Sequence, residues 1–447
     1  MAQDLTEGKP FTTILTFSLP IIGGNLFQLF YTLADSIIVG QTLGADALAA
    51  VGATSTVVYL ALCFIQGVTG GFGICLGHRF GQKDEAGMRK SIATSTILCL
   101  LFAVVITAVC CCLSHPILYW INTPKEIYSM AYSYMFTVLL GTGATVFYNL
   151  IANLLRALGD SRTPLVALVF SSVLNILLDL VFIVPLKMGV AGAAWATVLS
   201  QLLSAIFCLY AGAKKYLVLR LRKADFQLSG ATVQSHLKTA LPMGLQMSVM
   251  CIGQMAMQGA VNALGAAAIA GYTAATKVDQ FSVLVNNAMG ISISNYVAQN
   301  YGAGLMKRIR SGVSACLLQT SASNVAMCAI ILLCRNFVTP LFVNQPTAEI
   351  ALYANQYFWA VAPFYLLLGF LMVYRSAVQS MGNTLAPFLA CVIQLIVRVG
   401  VTIIFSHQIG YIGICFASPI SWFLAGLFLI PFYRKGIKKN ALTVSFR

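Results

Sequence analysis

Charged residues are scarce in this chain. Only 9% of its 447 residues are Asp, Glu, Lys or Arg, whereas a soluble domain carries about 25%. The longest hydrophilic stretch, from about residue 213 to residue 238, is too short for a soluble domain. With 59% hydrophobic residues, this shortage excludes a soluble fold and indicates an integral membrane protein with many spans.

Motifs for catalysis are also absent. The chain contains no HExxH, GxSxG or P-loop sequence, and none of its 13 cysteines lies near histidines at metal-ligand spacing,. We therefore expect no enzyme activity, no catalytic residue, no cofactor and no metal site other than one for a coupling sodium ion. A channel is also disfavoured, because nothing resembles a selectivity filter.

Twelve apolar segments are each long enough for a membrane helix, which needs about 20 residues. They lie near residues 12–40, 47–76, 91–114, 127–152, 164–186, 189–213, 238–263, 266–297, 312–334, 350–373, 386–407 and 409–433. These segments predict an all-α polytopic membrane protein with 12 transmembrane helices.

The second half of the chain repeats the first. Four anchors return in order after 221 to 223 residues, namely Leu19-Pro20 as Leu241-Pro242, the segment 43–50 as 264–271, Gly81 as Gly302, and Gly159 with Pro164 as Gly382 with Pro387. Six spans is an even number, so both halves enter the membrane in the same direction. We predict two parallel six-helix lobes around a central cleft, with bounds 1–213, a basic cytoplasmic linker 214–236, and 237–447.

Positive charge is concentrated on one side of the predicted membrane. Most of the 27 Lys and Arg residues fall in loops on that side, among them Arg79, Arg156, Lys214 and Arg375. The positive-inside rule then places both termini in the cytoplasm, with the chain in the cell (inner) membrane. The net charge of +15 follows from this topology, so we expect lipid as a partner and no nucleic acid.

Two aspartates lie within spans of the first lobe, where a charge costs about 2.5–3.5 kcal/mol. Asp35 shares a helix face with Gln28 and Tyr31, and Asp179 follows Asn175 by one turn,. With the Thr197 hydroxyl, these oxygens suit a sodium ion or a proton shared between carboxylates. We interpret them as the coupling-ion site, the alternative being hydrogen bonds between helices or, for Thr197, to its own helix.

The second lobe carries Lys277, Asp279 and Arg398 within its spans. Lys277 and Asp279 should point in different directions on one helix. Asp279 and Arg398 could form an internal ion pair, contact substrate or relay protons.

The seventh span has a polar stripe and a proline. Gln254, Gln258 and Asn262 follow one another at intervals of four, so they line the cleft or join helices,. Pro242 matches Pro20 of the first span, and this repetition favours designed helix bends over simple tolerance of proline.

These residues together resemble the multidrug and toxic compound extrusion (MATE) family. The resemblance extends over the whole chain, through 19–40 with Gln28, Tyr31 and Asp35, Gly159-Asp160 with Pro164, Asn175 with Asp179, 192–197, and 299–302. The seventh span, Leu241 to Asn262, lacks the acid of the NorM-like branch, so the chain looks more like the DinF-like branch.

The family resemblance implies two six-helix lobes, a cleft and alternating access. In the DinF-like branch the cation site is in the first lobe, and its ligands look like Asp35, Asn175, Asp179 and Thr197 here. Gln28 and Tyr31 fit positions near that site, and Asn149 fits a polar cleft position.

We therefore expect a monomeric antiporter that exports amphipathic, cationic organic compounds in exchange for inward sodium ions or protons. The cleft would also include Lys277, Asp279, Arg398 and the polar stripe of the seventh span. The runner-up is a flippase or exporter of lipid-linked precursors or metabolites with the same fold. A flippase would need a strongly cationic cleft for pyrophosphate, whereas the spans hold three acids against two cations.

Overall fold

The computed structural model describes residues 3–121, 123–342 and 347–444, which form helices and no β-strand. The first half contains α1 Pro10–Leu43, α2 Ala45–Gly81, α3 Glu85–Trp120, α4 Lys125–Leu140, α5 Thr142–Ala157, α6 Arg162–Ile183 and α7 Gly189–Lys215. The second half contains α8 Gly230–Asn262, α9 Ala266–Gly302, α10 Met306–Phe342, α11 Ala348–Val361, α12 Tyr365–Ser380, α13 Leu385–Ile409 and α14 Tyr411–Val444. Both termini, predicted to be cytoplasmic, lie outside the described residues.

These helices make 12 spans, six in each half of the chain. Within the described residues, ten spans are long and apolar enough to cross a membrane, α11 and α12 counting as one, and α4 with α5 form an eleventh that bends by 43°. The one remaining span, α9, is the eighth in the chain and has 37 residues, about 55 Å of helix against a hydrocarbon core of about 30 Å. Its charges at Lys277 and Asp279 reduce its apolar character.

The repeat extends to the backbone. Gly44 and Gly265 precede α2 and α9 with φ of 90° and 98°, and Gly159 and Gly382 precede α6 and α13 with φ of 83° and 88°. Only glycine adopts this left-handed region without strain. The predicted helix starts are therefore shared by both halves.

Both fourth spans are interrupted, which the sequence analysis does not anticipate. In the first half the break is at Gly141, between α4 and α5. In the second half a 3-10 turn, Ala362–Phe364, separates α11 from α12 and begins 221 positions after Gly141. A Cβ atom at Gly141 would collide with Val198, so close packing on α7 requires a glycine there.

The chain divides into two compact units. Unit 1 holds residues 1–4 and 19–244, and unit 2 holds residues 5–18 and 245–447. Helices α1 and α8 therefore each belong to both units. Each helix changes unit within two residues of its matched proline, Pro20 in α1 and Pro242 in α8. The predicted bounds of the two lobes and the linker follow the sequence repeats and not these units, and they stay a prediction.

The first half of α8 is fixed in unit 1 by glycines of α2. A Cβ at Gly71 would lie 2.6 Å from the Ala240 Cα, and one at Gly67 would collide with the Met243 backbone. Small residues four apart on a helix let two helix backbones approach closely in a membrane. This contact explains why α2 needs both glycines.

The N-terminal segment is bound along unit 2. Leu5 is fully buried, its N–H donates to the Gln299 side chain at 3.0 Å, and its carbonyl accepts from the Asn300 amide at 3.0 Å. Arg308 donates to the carbonyl of Gly8 at 2.9 Å. Gln299 and Asn300, which belong to the segment 299–302 of the family resemblance, thus bind the N-terminal segment.

The four cations that the sequence analysis names as loop residues all lie inside helices, with Arg79 and Lys214 in the last turns of α2 and α7. Arg156 is in the last turn of α5, and Arg375 is in α12 and only 5% exposed. Loop residues cannot be separated from residues of a helix end by charge alone, since apolar segments define span ends only within several residues.

Candidate functional site

Asp35 on α1 and Asp179 on α6 lie close together in unit 1, and their carboxyl groups interact electrostatically. Asp179 is fully buried. Within the described residues no cation pairs with either group, and their carboxyl oxygens have no hydrogen-bond partner other than each other. Two adjacent carboxyl groups at low dielectric require a counter-charge or a shared proton.

Asn175 and Thr197 join α6 to α7 beside this pair. The Asn175 amide donates to the Thr197 hydroxyl at 3.4 Å, and that hydroxyl donates to the Ala193 carbonyl at 3.1 Å. The Asn175 Oδ1 is buried without a partner among the described residues. Thr197 therefore bonds its own helix, while Asn175 offers an oxygen one turn from Asp179. The structure brings all four predicted ligands together.

Further polar side chains surround the carboxylates. Tyr31 interacts with Asp35, Asp179 and the Gln201 side chain, and Tyr134 on α4 also interacts with both acids. Sequence reasoning missed Tyr134 and Gln201. Gln201 follows Thr197 by four residues on the same face of α7, a usable signal, whereas Tyr134 carries none because tyrosine is common in membrane helices.

Two predicted cleft residues of unit 1 do not contact the carboxylates. The Asn149 amide donates to the Thr145 carbonyl of its own helix at 2.9 Å. Gln28 is exposed on α1. Their assignment to a substrate cleft stays a prediction.

Unit 2 separates its intramembrane charges. Lys277 is exposed on α9, and the Oδ1 atom of Asp279 is buried without a hydrogen-bond partner among the described residues. Arg398 on α13 is close to Gly253, where a Cβ would lie 3.5 Å from its Nη1. Asp279 and Arg398 interact at a distance but form no ion pair in the part of the chain that the structure describes.

Tyrosines fill the space around Asp279 and Arg398. Tyr357 and Tyr365 contact Asp279, and Tyr272 and Tyr357 are near Arg398. The rings of Tyr272 and Tyr357 meet edge to face with centroids 5.5 Å apart. This group, the tyrosine cluster, comprises Tyr272, Tyr357, Tyr365 and Tyr411. It had no sequence signal because its members lie on four different helices.

A buried amide pair holds one member of this cluster in place. Asn286 on α9 and Asn324 on α10 exchange two hydrogen bonds of 2.8 and 3.0 Å, and Asn324 also donates to the Tyr365 carbonyl at 3.0 Å. Gly369 on α12 makes room, since a Cβ there would lie 2.5 Å from the Asn324 amide nitrogen. The start of α12, and with it Tyr365, is thereby fixed to two neighbouring helices.

The polar stripe of α8 bonds within its own helix. Gln258 donates to Asn262 at 2.9 Å, while Gln254 and Asn262 are exposed. Pro20 and Pro242 lie inside continuous helices. Whether the stripe lines a cleft and whether the prolines bend the helices stay predictions.

Comparisons with known proteins agree with this architecture. The MatE family model matches residues 20–181 and 242–424. A Bacillus subtilis protein named probable multidrug resistance protein YpnP is 30% identical over 437 residues, 97% of each chain. The FAD transporter of Shewanella oneidensis is 22% identical, covering 93% of this chain and 92% of its own.

Solved structures extend the likeness to the fold. A MOP superfamily transporter from Pyrococcus furiosus superposes with a TM-score of 0.91 at 26% identity, over 98% of each chain. The crystal structure of a MATE protein in complex with MaL6 gives a TM-score of 0.91 at 25% identity, over 98% of this chain and 99% of that chain.

Proposed function

This chain belongs to the MatE family of membrane transporters, and we propose that it exports a range of amphipathic organic cations in exchange for inward sodium ions or protons. It is therefore a multi-pass membrane transporter of small molecules and not an enzyme. We place it in the cell membrane as a monomer with both termini in the cytoplasm.

The pair of carboxylates at Asp35 and Asp179 supports this function most directly. Neither has a cationic partner among the described residues, so a cation or protons would stabilise the pair strongly. Asn175 Oδ1 and the Thr197 hydroxyl add the neutral oxygens that a sodium ion prefers. Among the described residues, no group of three or more His, Cys, Asp or Glu side chains is arranged so that it could hold a metal ion.

Coupling would follow from different affinities in two states. In the outward-open state the carboxylates take up an external cation, and α1 bends near Pro20. The rearranged first lobe then releases the organic compound outside. In the inward-open state the cation leaves to the cytoplasm, and the site becomes able to accept substrate again.

The first test is export of a fluorescent cationic dye from cells that lack their own pumps. We expect Asp35→Asn and Asp179→Asn to reduce export at least tenfold, because each substitution removes one charge of the pair. The matched control is Asp46→Asn, at an exposed position of α2, compared at equal expression. Collapsing the sodium and proton gradients separately names the coupling ion.

Two outcomes would contradict the proposal. Equal export by wild type and both variants would exclude the first-lobe coupling site. No export by wild type would favour the second candidate, a flippase or exporter of lipid-linked precursors or metabolites, which the buried Arg375 and the half-buried Arg398 make worth testing with anionic lipids.

A further inference from the structure

The repeat assigns a counterpart in unit 2 to each ligand of the candidate cation site. Asn175 and Asp179 lie 11 and 15 residues after Pro164, and Arg398 and Thr402 lie 11 and 15 residues after Pro387. Both stretches follow a left-handed glycine, Gly159 or Gly382, so α6 and α13 begin in register. An amide and a carboxylate of unit 1 thus correspond to a guanidinium and a hydroxyl of unit 2.

The other two ligands have counterparts that are in contact. Asp35 lies 15 residues after Pro20, as Met257 does after Pro242. Thr197 lies eight residues after Gly189, and Ser418 lies eight after Gly410, with φ of 61° and 62° at these glycines. The Ser418 hydroxyl donates to the Met257 sulfur at 3.3 Å.

At the counterparts of the candidate cation site, unit 2 therefore carries a positive charge where unit 1 carries two carboxylates. Both carboxylates of unit 1 are replaced by neutral side chains, and Arg398 takes the place of Asn175. Its Nε has no hydrogen-bond partner among the described residues. The nearby carboxylate, Asp279, is not in ion-pair contact, so the charge of Arg398 is incompletely balanced.

A second arginine, which is buried, adds to this positive charge. Arg375 donates to the sulfur atoms of Met250 at 3.1 Å, Met372 at 2.7 Å and Cys391 at 3.8 Å. Sulfur is a weak acceptor, and no carboxylate pairs with Arg375 among the described residues. Cys391 also lies near Arg398, so the two guanidinium groups share one neighbourhood.

Hydroxyl groups that could donate to an anion lie near Arg398. Tyr272 and Tyr357 are near its guanidinium group, and the hydroxyl of Thr402, one turn further along α13, is buried without a hydrogen-bond partner among the described residues. Tyr272 and Tyr411 correspond to Val51 and Val190, 221 positions earlier, which belong to an apolar cluster of unit 1. The hydroxyls of Tyr272 and Tyr411 therefore have no counterpart at the matching positions of unit 1.

We propose that unit 2 contains an anion site, centred on Arg398 and the tyrosine cluster, that takes the carboxylate of an aromatic compound. The planar guanidinium fork matches a carboxylate with two parallel hydrogen bonds, and the tyrosine rings offer aromatic contact. Resting on the proposed transport function, this site adds zwitterionic compounds, with both a cationic and a carboxylate group, to the substrates.

The test is equilibrium binding to the purified full-length protein in detergent. Naphthalene-2-carboxylate is titrated against the uncharged naphthalene-2-methanol, by calorimetry. We expect the carboxylate to bind at least tenfold more tightly than the alcohol. Arg398→Gln should remove this preference, Arg398→Lys should restore part of it, and Tyr272→Phe should weaken carboxylate binding several-fold.

The matched control is Arg310→Gln, at an exposed position of α10, which should bind both probes as wild type does. Thermal unfolding of each variant separates loss of the site from loss of the fold, and Arg398→Lys keeps the test decisive if Arg398→Gln unfolds. Equal binding of both probes, no binding of the carboxylate, or an unchanged preference in Arg398→Gln would overturn the proposal. Binding of chloride or phosphate without the aromatic carboxylate would overturn it too. Because no ion gradient is needed, failure here is distinct from failure of dye export.

Discussion

At the level of single residues, Asp160 shows how a carboxylate is stabilised between two helices outside the membrane spans. It is 2% exposed and accepts hydrogen bonds from Lys215 Nζ at 2.6 Å, from Thr163 Oγ1 at 2.7 Å and from two backbone amides at the start of α6. Burial alone would raise the pKa of the Asp160 carboxyl. The bonds from Lys215 and Thr163 outweigh burial and hold that pKa below its usual range.

This lowered pKa predicts a pH-dependent stability difference. The carboxylate stabilises the folded state above its ordinary pKa, and the contribution is lost as the pH falls through the folded-state pKa. Asp160→Asn should therefore cost about 1–3 kcal/mol near neutral pH, and the difference from wild type should shrink below about pH 4. Thermal unfolding in detergent across this range measures it, with Asp46→Asn as the exposed control. A difference that stays constant with pH would contradict this explanation.

Some residues of the candidate sites could be predicted from the sequence, and others could not. Asp35, Asn175 and Asp179 could be found because acids and amides at helical spacing are costly inside a membrane. The tyrosine cluster could not, since each tyrosine is unremarkable in its own helix. Neighbours of Asp279 and Arg398 are set by packing among α9, α11, α12, α13 and α14, which local spacing does not encode.

At the level of helices, the contact between α2 and α8 predicts that replacing glycine by alanine has different effects on stability at two positions of α2. Gly71→Ala places a Cβ 2.6 Å from the Ala240 Cα, and overpacking of this kind costs about 1–3 kcal/mol. Gly52→Ala, in the same helix with no atom within 4 Å of the new Cβ, should be neutral or slightly stabilising. Thermal unfolding in detergent compares the two variants. Equal midpoints would show that α8 can move away from α2 without loss.

The sequence predicts where the membrane helices lie, but it does not predict where two of them are interrupted. All 12 predicted spans overlap helices of the structure, including the polar α9, although several helices extend up to about 11 residues beyond the predicted segment. The break at Gly141 was missed because glycine is frequent in membrane helices, and the close packing of Val198 against Gly141 is a contact between distant residues that local sequence does not encode. The break at Ala362–Phe364 has a proline as a signal, yet Pro20 and Pro242 lie inside continuous helices, so proline alone does not decide.

For the molecule as a whole, two helices shared between the units predict that Pro20 and Pro242 control the rate of transport. Both helices change unit next to these prolines, where each proline removes a backbone hydrogen bond and softens the helix. Pro20→Ala and Pro242→Ala should slow dye export several-fold while dye binding in detergent stays unchanged.

The control for these variants is Pro419→Ala, in a helix that belongs to unit 2 alone. Initial export rates at matched expression give the comparison. If Pro419→Ala slows export as much as the other two, the effect reflects general helix stability, and the position of the prolines at the unit boundaries has no special importance.

The N-terminal segment also constrains how the protein is made. Residues 5–18 belong to unit 2, and Leu5 bonds to Gln299 and Asn300, which the ribosome adds almost 300 residues later. At about 5–20 residues per second, the start of the nascent chain waits roughly 15 to 60 s for its binding partner. The first six spans can therefore enter the membrane during synthesis, but the first half of α1 reaches its final place only after α9 has been translated.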